Sequence, residues 1–237
     1  MRVIAQIPAR AGSQRVVLKN LRYLVDRPLL EYSIAAAKGA KIFDRVVVNS
    51  DSEDILRFAE SLDVEGYLRP SELGTSDATG DQFTYDFMKK FEADTVVLVN
   101  PACPLIESSD IELAFEAFNQ NDCDTLITSS STQMPVFCES NPVNVDLTGP
   151  MQPTQNNPTV RVLNWAIAIW DVKQYLNNYE QNGHAYMGEN RFLFDIDPWK
   201  AVKISYESDF EFAQLLLSAR QIAHIGKNMN RYWTSDE

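Results

Sequence analysis

Positive charge, cysteine and histidine are all scarce in this sequence, and each shortage argues against a class of protein. Its 21 lysines and arginines face 33 aspartates and glutamates, giving a formal net charge of −12, which argues against nucleic acid as a partner. The three cysteines, Cys103, Cys123 and Cys138, lack CxxC spacing, so we expect free thiols in a cytoplasmic protein. The two histidines, His184 and His224, lack metal-ligand spacing.

Long apolar runs and the two common phosphate-binding glycine motifs are also missing. No stretch approaches the ~20 apolar residues that span a membrane, so we expect no membrane partner. The opening MRVIAQIPARAGS contains no apolar core of a signal peptide. Neither GxxxxGK[ST] nor GxGxxG occurs. A phosphate-binding loop in this chain must therefore be of another kind.

Short apolar runs alternate with helical patterns over the first 130 residues. Strands are predicted at 3–7, 45–49, 64–68, 95–100 and 124–130, and helices at 28–40, 52–62, 81–91 and 109–120. Repeated strand–helix units with near-continuous apolar strands predict an α/β fold with a doubly wound, mostly parallel sheet. The length of the chain fits one domain covering 1–237.

The pattern changes near residue 131. The segment 131–159 is rich in proline, asparagine and glutamine and lacks a helical period, so it is predicted to form an irregular arm or hairpin. Beyond it the sequence predicts a strand at 160–170, a helix at about 171–181, strands at 191–197 and near 201–205, and a last helix at 207–223.

The loop after the first predicted strand concentrates positive charge in an otherwise acidic chain. The stretch PARAGSQRVVLKN contains Arg10, Gly12, Ser13, Arg15, Lys19 and Asn20. Ligands of open α/β sheets bind beyond the carboxyl ends of the strands, and glycine lets backbone N–H groups close around an anion. We therefore interpret this stretch as a phosphate-binding loop rather than as a basic surface loop.

Motifs along most of the chain resemble those of one family, in the same order. IPARAGSQRVVLKNL, FDRVVVNSDSEDI, LRPSELGTSDATG, VVLVNPACPL, VLNWAIAIW and ESDFEFAQ are similar to successive motifs of the acylneuraminate cytidylyltransferases. That resemblance implies a nucleotide-diphospho-sugar-transferase-like fold and transfer of CMP from CTP to an acidic, nonulosonic-type sugar such as sialic acid, with release of pyrophosphate. It also implies Mg²⁺ as cofactor, a place in cell-surface polysaccharide biosynthesis, and a homodimer formed through a protruding arm, which here would be residues 131–159.

The resemblance also implies roles for individual residues. It implies nucleotide binding by Arg10, Gly12, Ser13, Asn20, Arg69 and Asp77, sugar binding by Asn100, Arg161 and Asn164, and catalysis by Arg15, Lys19 and Lys203. Several positions depart from the family pattern, among them Asn100, which stands for a glutamine, Ala102 and Cys103, which stand for Thr-Ser, and Arg161, which is one place early. Gln14 replaces a lysine of the loop, and Trp165 replaces a glycine on the sugar side. Trp165 either reshapes the sugar pocket or points into the core.

The stretch FDIDPWKAVKIS raises the question of a metal site. Asp195 and Asp197 lie two residues apart, and on an extended chain such side chains point the same way and can share a divalent cation. In the resemblance, however, these two aspartates fall on structural positions. The family's metal-binding aspartate pair falls instead on Lys203 and Ser205. The sequence therefore predicts no metal ligands here, although the family uses Mg²⁺.

Three hypotheses about function remain open at this point. The first is an active transferase that makes a CMP-activated acidic sugar. The second is a catalytically weak or inactive relative that binds nucleotide or sugar as an accessory subunit. The third is an active transferase for another sugar or nucleotide, with its metal held by other residues. The basic loop favours nucleotide binding, whereas Gln14, Lys203 and Ser205 disfavour ordinary metal-dependent catalysis.

Overall fold

The computed structural model describes residues 1–12 and 15–222, and within them seven strands form one sheet. The strands are β1 (Val3–Pro8), β2 (Arg45–Ser50), β3 (Glu65–Leu68), β4 (Thr95–Val99), β5 (Thr125–Thr132), β6 (Val160–Asp171) and β7 (Arg191–Asp195). Their order across the sheet is β7-β5-β6-β4-β1-β2-β3. The predicted strands at 3–7, 45–49, 64–68, 95–100, 124–130 and 160–170 are confirmed within a few residues.

The sheet is mostly parallel, as predicted, with one antiparallel strand. β1 runs parallel to β2 and β4, β2 to β3, and β5 to β7. β6 runs antiparallel to both β4 and β5. The connection from β5 to β6 contains no α-helix, so the chain returns beside β5 in the opposite direction, whereas a parallel return needs a long crossover.

Helices cover both faces of the sheet. They are α1 (Leu29–Gly39), α2 (Glu53–Ser61), α3 (Gly80–Lys90), α4 (Ser108–Gln120), α5 (Val172–Asn182) and α6 (Glu207–Ile222). Ala5 of β1 belongs to an apolar cluster with Ile34 of α1, whereas its neighbour Ile4 belongs to one with Phe87 of α3 and Tyr175 of α5. Because both faces are buried, successive residues of a strand are all apolar.

Two further segments test the sequence predictions, and one of the two predictions is wrong. The strand predicted near 201–205 does not form. A turn at 198–201 precedes it, and Ile204 packs its side chain into a third apolar cluster, away from any strand. The segment 131–159 is an irregular hairpin, as predicted, with two-residue strands at Phe137–Cys138 and Asn141–Pro142 and a short 3-10 helix at Thr154–Asn156. Among the described residues, no helix has the length and apolar content needed to cross a membrane.

Candidate active site

A cleft of about 450 Å³ opens at the carboxyl ends of β1 and β4. Its walls come from five parts of the chain that lie far apart in sequence. They are Pro8, Arg10, Arg15, Lys19 and Asn20 after β1, Arg69 and Ser76 after β3, Phe83 of α3, Leu98, Asn100, Pro101 and Ala102 at β4, and Tyr186 and Ser205 from the last third. The structure thus brings together six of the predicted binding and catalytic residues, together with Ser205.

The loop after β1 is tied to its surroundings mainly through the backbone. The buried side chain of Asn20 donates from Nδ2 to the carbonyl of Arg10 at 2.9 Å, and the N–H of Ala11 donates to Asp51 at 2.9 Å. Gly12 is exposed, and an added Cβ would meet no atom within 4 Å. No steric contact among the described residues therefore requires glycine at this position. Ser13 and Gln14 lie outside the described residues.

Positive charge converges on the cleft without being neutralised. Lys19 donates from Nζ to the carbonyl of Ile204 at 3.0 Å. Burial lowers the pKa of Lys19, and the charges of Lys203, Arg15 and Arg10 lower it further. None of these cations forms an ion pair with a carboxylate in the part of the chain that the structure describes. Such a cluster in a protein with a net charge of −12 fits a polyanionic ligand.

Arg69 forms the opposite wall and is only 5% exposed. Its guanidinium donates to the carbonyl of Asn49 and, at 3.4 Å, to that of Leu73, and it lies 5.1 Å from the ring centre of Phe83. Burial lowers the pKa of Arg69 to about 10, so the side chain keeps its charge at neutral pH. Arg69 therefore presents a fixed cation whose position is set by the backbone of β2 and of the short 3-10 helix Ser71–Gly74.

Several buried polar atoms beside the cleft have no hydrogen-bond partner among the described residues. They are Nε of Arg69, Oδ1 of Asn20, and both polar side-chain atoms of Asn49. Buried polar atoms in native proteins are nearly always paired with protein, water or ligand. These atoms are thus available to a bound molecule or to ordered water beside the loop after β1.

Five predicted site residues do not line the cleft, namely Gly12, Asp77, Arg161, Asn164 and Lys203. Asp77 is exposed and is absent from the walls of the cleft, although its neighbour Ser76 lines them. Asn164 is held by Thr128 and Ser130 of β5. Arg161 lies near the start of β6, where that strand pairs with β5 and not with β4, and its guanidinium contacts the carbonyl of Leu193 and the carboxylate of Asp195 on β7. Asn100 alone of the predicted sugar-binding residues lines the cleft.

The placement of the two aspartates agrees with the alignment made from sequence. Asp195 ends β7 and accepts hydrogen bonds from Ser129, at 2.5 Å, and from Ser131, with the Arg161 guanidinium 3.5 Å away. Burial raises the pKa of Asp195, but these hydroxyls and Arg161 outweigh burial and lower it below its ordinary value. Asp195 and Asp197 do not line the cleft, whereas Ser205 does.

The walls of the cleft do not suit a divalent cation. The described residues that line it include no carboxylate, and Mg²⁺ is usually held through one or two carboxylates together with phosphate oxygens. Across residues 1–12 and 15–222, no group of three histidine, cysteine, aspartate or glutamate side chains is arranged to hold a metal. The donor set at Lys203 and Ser205 offers one hydroxyl and one cation. These residues do not fit the metal that the resemblance implies.

The sequence analysis missed Tyr186, which lines the cleft opposite the basic loop. Its N–H donates to Asp81 at 2.8 Å, and its ring lies 4.9 Å from those of Trp165 and Trp170. A Cβ at Gly80 would come within 2.8 Å of this ring, so only glycine fits there. Tyr186 sits in an irregular, polar stretch without periodicity, and no signal in the sequence marked it.

Trp165 packs toward the core, which decides between the two alternatives left open by the sequence. Its indole contacts Tyr186 and the apolar cluster around Phe87. Its backbone has φ +57°, a left-handed conformation that favours glycine. Trp165 therefore packs on Tyr186, which with Phe83 forms the aromatic wall of the cleft.

Cys103, the one cysteine near the cleft, is fully enclosed. Burial raises the pKa of its thiol to about 12, although Lys203 and Lys19 oppose that rise. A thiol that stays protonated is a poor nucleophile, so Cys103 serves packing.

Comparisons with known proteins agree with this geometry. Residues 4–164 match the model of the family described as "Cytidylyltransferase". The chain is 29% identical over 232 residues to post-translational flagellin modification protein B of Campylobacter coli, covering 93% of this chain and 97% of the relative. It is 30% identical over 189 residues to CMP-N,N'-diacetyllegionaminic acid synthase of Legionella pneumophila, covering 75% of this chain and 82% of the relative.

A solved structure supports the fold. The structure of CMP:2-keto-3-deoxy-manno-octonic acid synthetase complexed with CTP matches 93% of this chain and 100% of its own, with a TM-score of 0.71 and 15% identity. At that identity the match demonstrates the shared α/β nucleotidyltransferase fold alone. Together with the family match, these similarities identify the chain as a member of the cytidylyltransferase family and a relative of the acylneuraminate and other nonulosonic acid cytidylyltransferases.

Proposed function

We propose that this protein transfers CMP from CTP to an acidic, nonulosonic-type sugar and releases pyrophosphate. The observation that carries the proposal is the convergence of Arg10, Arg15 and Lys19, without carboxylate partners among the described residues, at the carboxyl ends of β1 and β4. The sugar class is supported by the Legionella pneumophila relative, which is a CMP-N,N'-diacetyllegionaminic acid synthase, and by a Campylobacter jejuni pseudaminic acid cytidylyltransferase that is 28% identical over 142 residues. The comparisons give no support to an inactive accessory protein.

The reaction needs positioning and charge stabilisation more than covalent catalysis. The anomeric hydroxyl oxygen of the sugar attacks the α-phosphorus of CTP, and the bond from that phosphorus to the α,β-bridging oxygen breaks. Pyrophosphate leaves with the bonding electrons, and the hydroxyl proton passes to solvent. Arg15 and Lys19 are suited to stabilise the charge that grows on the phosphate oxygens, because fixed cations in a cleft need no reorganisation.

The other predicted residues receive roles by their position. Arg10, Asn20 and Arg69 are proposed to hold the nucleotide, because their polar atoms border the cleft, and Asn20 and Arg69 have unpaired buried atoms beside it. Gly12 and Ser13 are proposed to contribute through the same loop. Asn100, on the β4 side, is proposed to face the sugar. Asp77, Arg161 and Asn164 stay proposals from the family resemblance alone, since they do not line the cleft.

The proposal is tested by pyrophosphate release from CTP with a panel of nonulosonic acids. Arg10→Ala and Lys19→Ala should each weaken CTP binding by about 1.5–3 kcal/mol, the range for a charge-assisted hydrogen bond. Lys173→Ala is the matched control, because Lys173 is exposed and lies two residues after Asp171. Asp171 pairs with Thr95 at the amino end of β4, whereas the cleft lies at the carboxyl end of that strand. Unchanged CTP affinity in both loop variants would refute the proposal. Failure of every sugar in the panel to release pyrophosphate from CTP would refute it as well.

We also propose that residues 131–159 form the contact of a homodimer. The segment exposes apolar side chains that a monomer would leave in water, namely Met134, Phe137, Val143, Leu147 and Met151.

The free thiols of Cys103, Cys123 and Cys138 favour a cytoplasmic location. The sugar class of the relatives supports a place in cell-surface polysaccharide biosynthesis.

A further inference from the structure

The segment 203–205 is fixed against the floor of the cleft. Ile204 is fully buried, its N–H donates to the carbonyl of Ala102 at 2.8 Å, and its own carbonyl accepts from Lys19 Nζ at 3.0 Å. Ser205 lines the cleft. The turn before this segment is anchored by Lys200, which contacts Asp110 at 2.7 Å and Glu107 at 3.0 Å. The backbone of 203–205 is therefore held by the fold, while the side chain of Lys203 is exposed.

Lys203 does not line the cleft itself, but it directly precedes Ile204, whose carbonyl accepts from Lys19 Nζ at 3.0 Å, and it lies two residues before Ser205, which lines the cleft. Lys203 is exposed, and its ammonium, next to burial, is the strongest of the causes that lower the pKa of Lys19. Lys203 also opposes the burial-driven rise in the pKa of Cys103, which follows Ala102. Because its backbone neighbour Ile204 is hydrogen-bonded to Lys19, Lys203 adds positive charge close to the cluster formed by Arg10, Arg15 and Lys19.

Resting on the proposed function, we infer that Lys203 takes over the charge neutralisation that an aspartate-bound divalent cation would supply, so that the cleft binds metal-free nucleoside triphosphate. Two aspartates with Mg²⁺ sum to zero charge, whereas Lys203 with Ser205 sums to +1. A free triphosphate carries about four negative charges, and about two remain once Mg²⁺ is bound. A cluster of unpaired cations attracts the more negative species more strongly.

This inference makes the metal dependence of nucleotide binding the decisive measurement. Calorimetric titration of the full chain with CTP, in EDTA and in excess Mg²⁺, should give an affinity in EDTA at least equal to that in Mg²⁺. Lys203→Ala should weaken binding in EDTA by roughly tenfold or more, the cost of losing one charge-assisted contact. Lys173→Ala removes the same charge near the amino end of β4, far from the cleft, and should leave the CTP affinity unchanged in both conditions.

A double variant provides the converse test. Lys203→Asp with Ser205→Asp should lose most CTP binding in EDTA and recover it in Mg²⁺, because the two carboxylates can then hold the cation. Circular dichroism confirms folding of each variant. Wild-type binding that requires Mg²⁺, or an unchanged affinity of Lys203→Ala in EDTA, would overturn the inference and leave the proposed function standing. Absence of CTP binding under both conditions would overturn both.

Discussion

The left-handed backbone at Trp165 allows a sharp test of how the aromatic wall is built. The residue has φ +57° within a strand, where the pairing of β6 with β5 shifts register between Leu163 and Ala168. Its ring stabilises the wall by packing on Tyr186 at 4.9 Å, while its Cβ is strained by the backbone. Trp165→Ala removes the ring packing but keeps the strained Cβ. Trp165→Gly removes both the ring packing and the strain.

The magnitudes follow from these two contributions. Loss of the aromatic contact and of part of the buried indole should destabilise both variants by about 2–4 kcal/mol relative to the wild type. A non-glycine residue in the left-handed region costs roughly 1–2 kcal/mol, and glycine avoids this cost. Its larger unfolded-state entropy cancels about half of the stability gained in this way. Trp165→Gly should therefore be more stable than Trp165→Ala by about 1 kcal/mol.

Urea denaturation of the two variants, side by side, measures this difference as a shift in the free energy of unfolding. Ala168→Gly is the control, since Ala168 lies on the same strand with ordinary extended backbone and is fully buried. There glycine should lower the free energy of unfolding by about 1 kcal/mol. If Trp165→Gly is instead less stable than Trp165→Ala, position 165 does not have a left-handed backbone and the reasoning is refuted.

Two further predictions concern acid stability and assembly. Because the folded-state pKa of Asp195 is lowered, its contribution to stability is complete above the ordinary aspartate pKa of about 3.9 and is lost as the pH falls further. Asp195→Asn should therefore lose less free energy of unfolding than the wild type between neutral pH and pH ~3, with CTP affinity at neutral pH unchanged; an identical acid-side slope would contradict this. The arm at 131–159 should make the protein a dimer by light scattering at micromolar concentration, and Phe137→Asp with Leu147→Asp, both at exposed positions, should give monomers. A monomeric wild type would rule out the arm as a dimer contact.

The secondary structure of the first 130 residues could be predicted because local pattern and burial agree there. Strands buried on both faces read as continuous apolar runs, and helix starts carry capping residues such as Ser52, whose side chain accepts from the N–H of Ile55. The strand predicted near 201–205 failed for the opposite reason. Ile204 is buried as its pattern suggested, but by packing against Phe210 and its neighbours, and no strand pairs with this segment.

The candidate site was predictable only where its residues are close in sequence. The basic loop with Arg10, Arg15 and Lys19 follows one strand, and a single stretch reveals it. Tyr186 reaches the same cleft from a turn beyond α5, held there by Asp81 and by the space at Gly80. No local pattern encodes such an approach, because it depends on how α3 packs against α5 and its following turn.

The sequence by itself determined the α/β class, the family and the place of the basic loop after β1, since these follow from hydrophobic period, motif order and local charge. Tertiary structure alone decided which cations act together. Lys19 and Ile204 are 185 residues apart yet share a hydrogen bond. This contact, together with Arg15 over the ring of Tyr206 at 5.0 Å, brings the segment that contains Lys203 to the loop. Antiparallel insertion of β6 likewise directs Arg161 toward Asp195, because strand direction depends on pairing with β4 and β5, which lie far away in sequence.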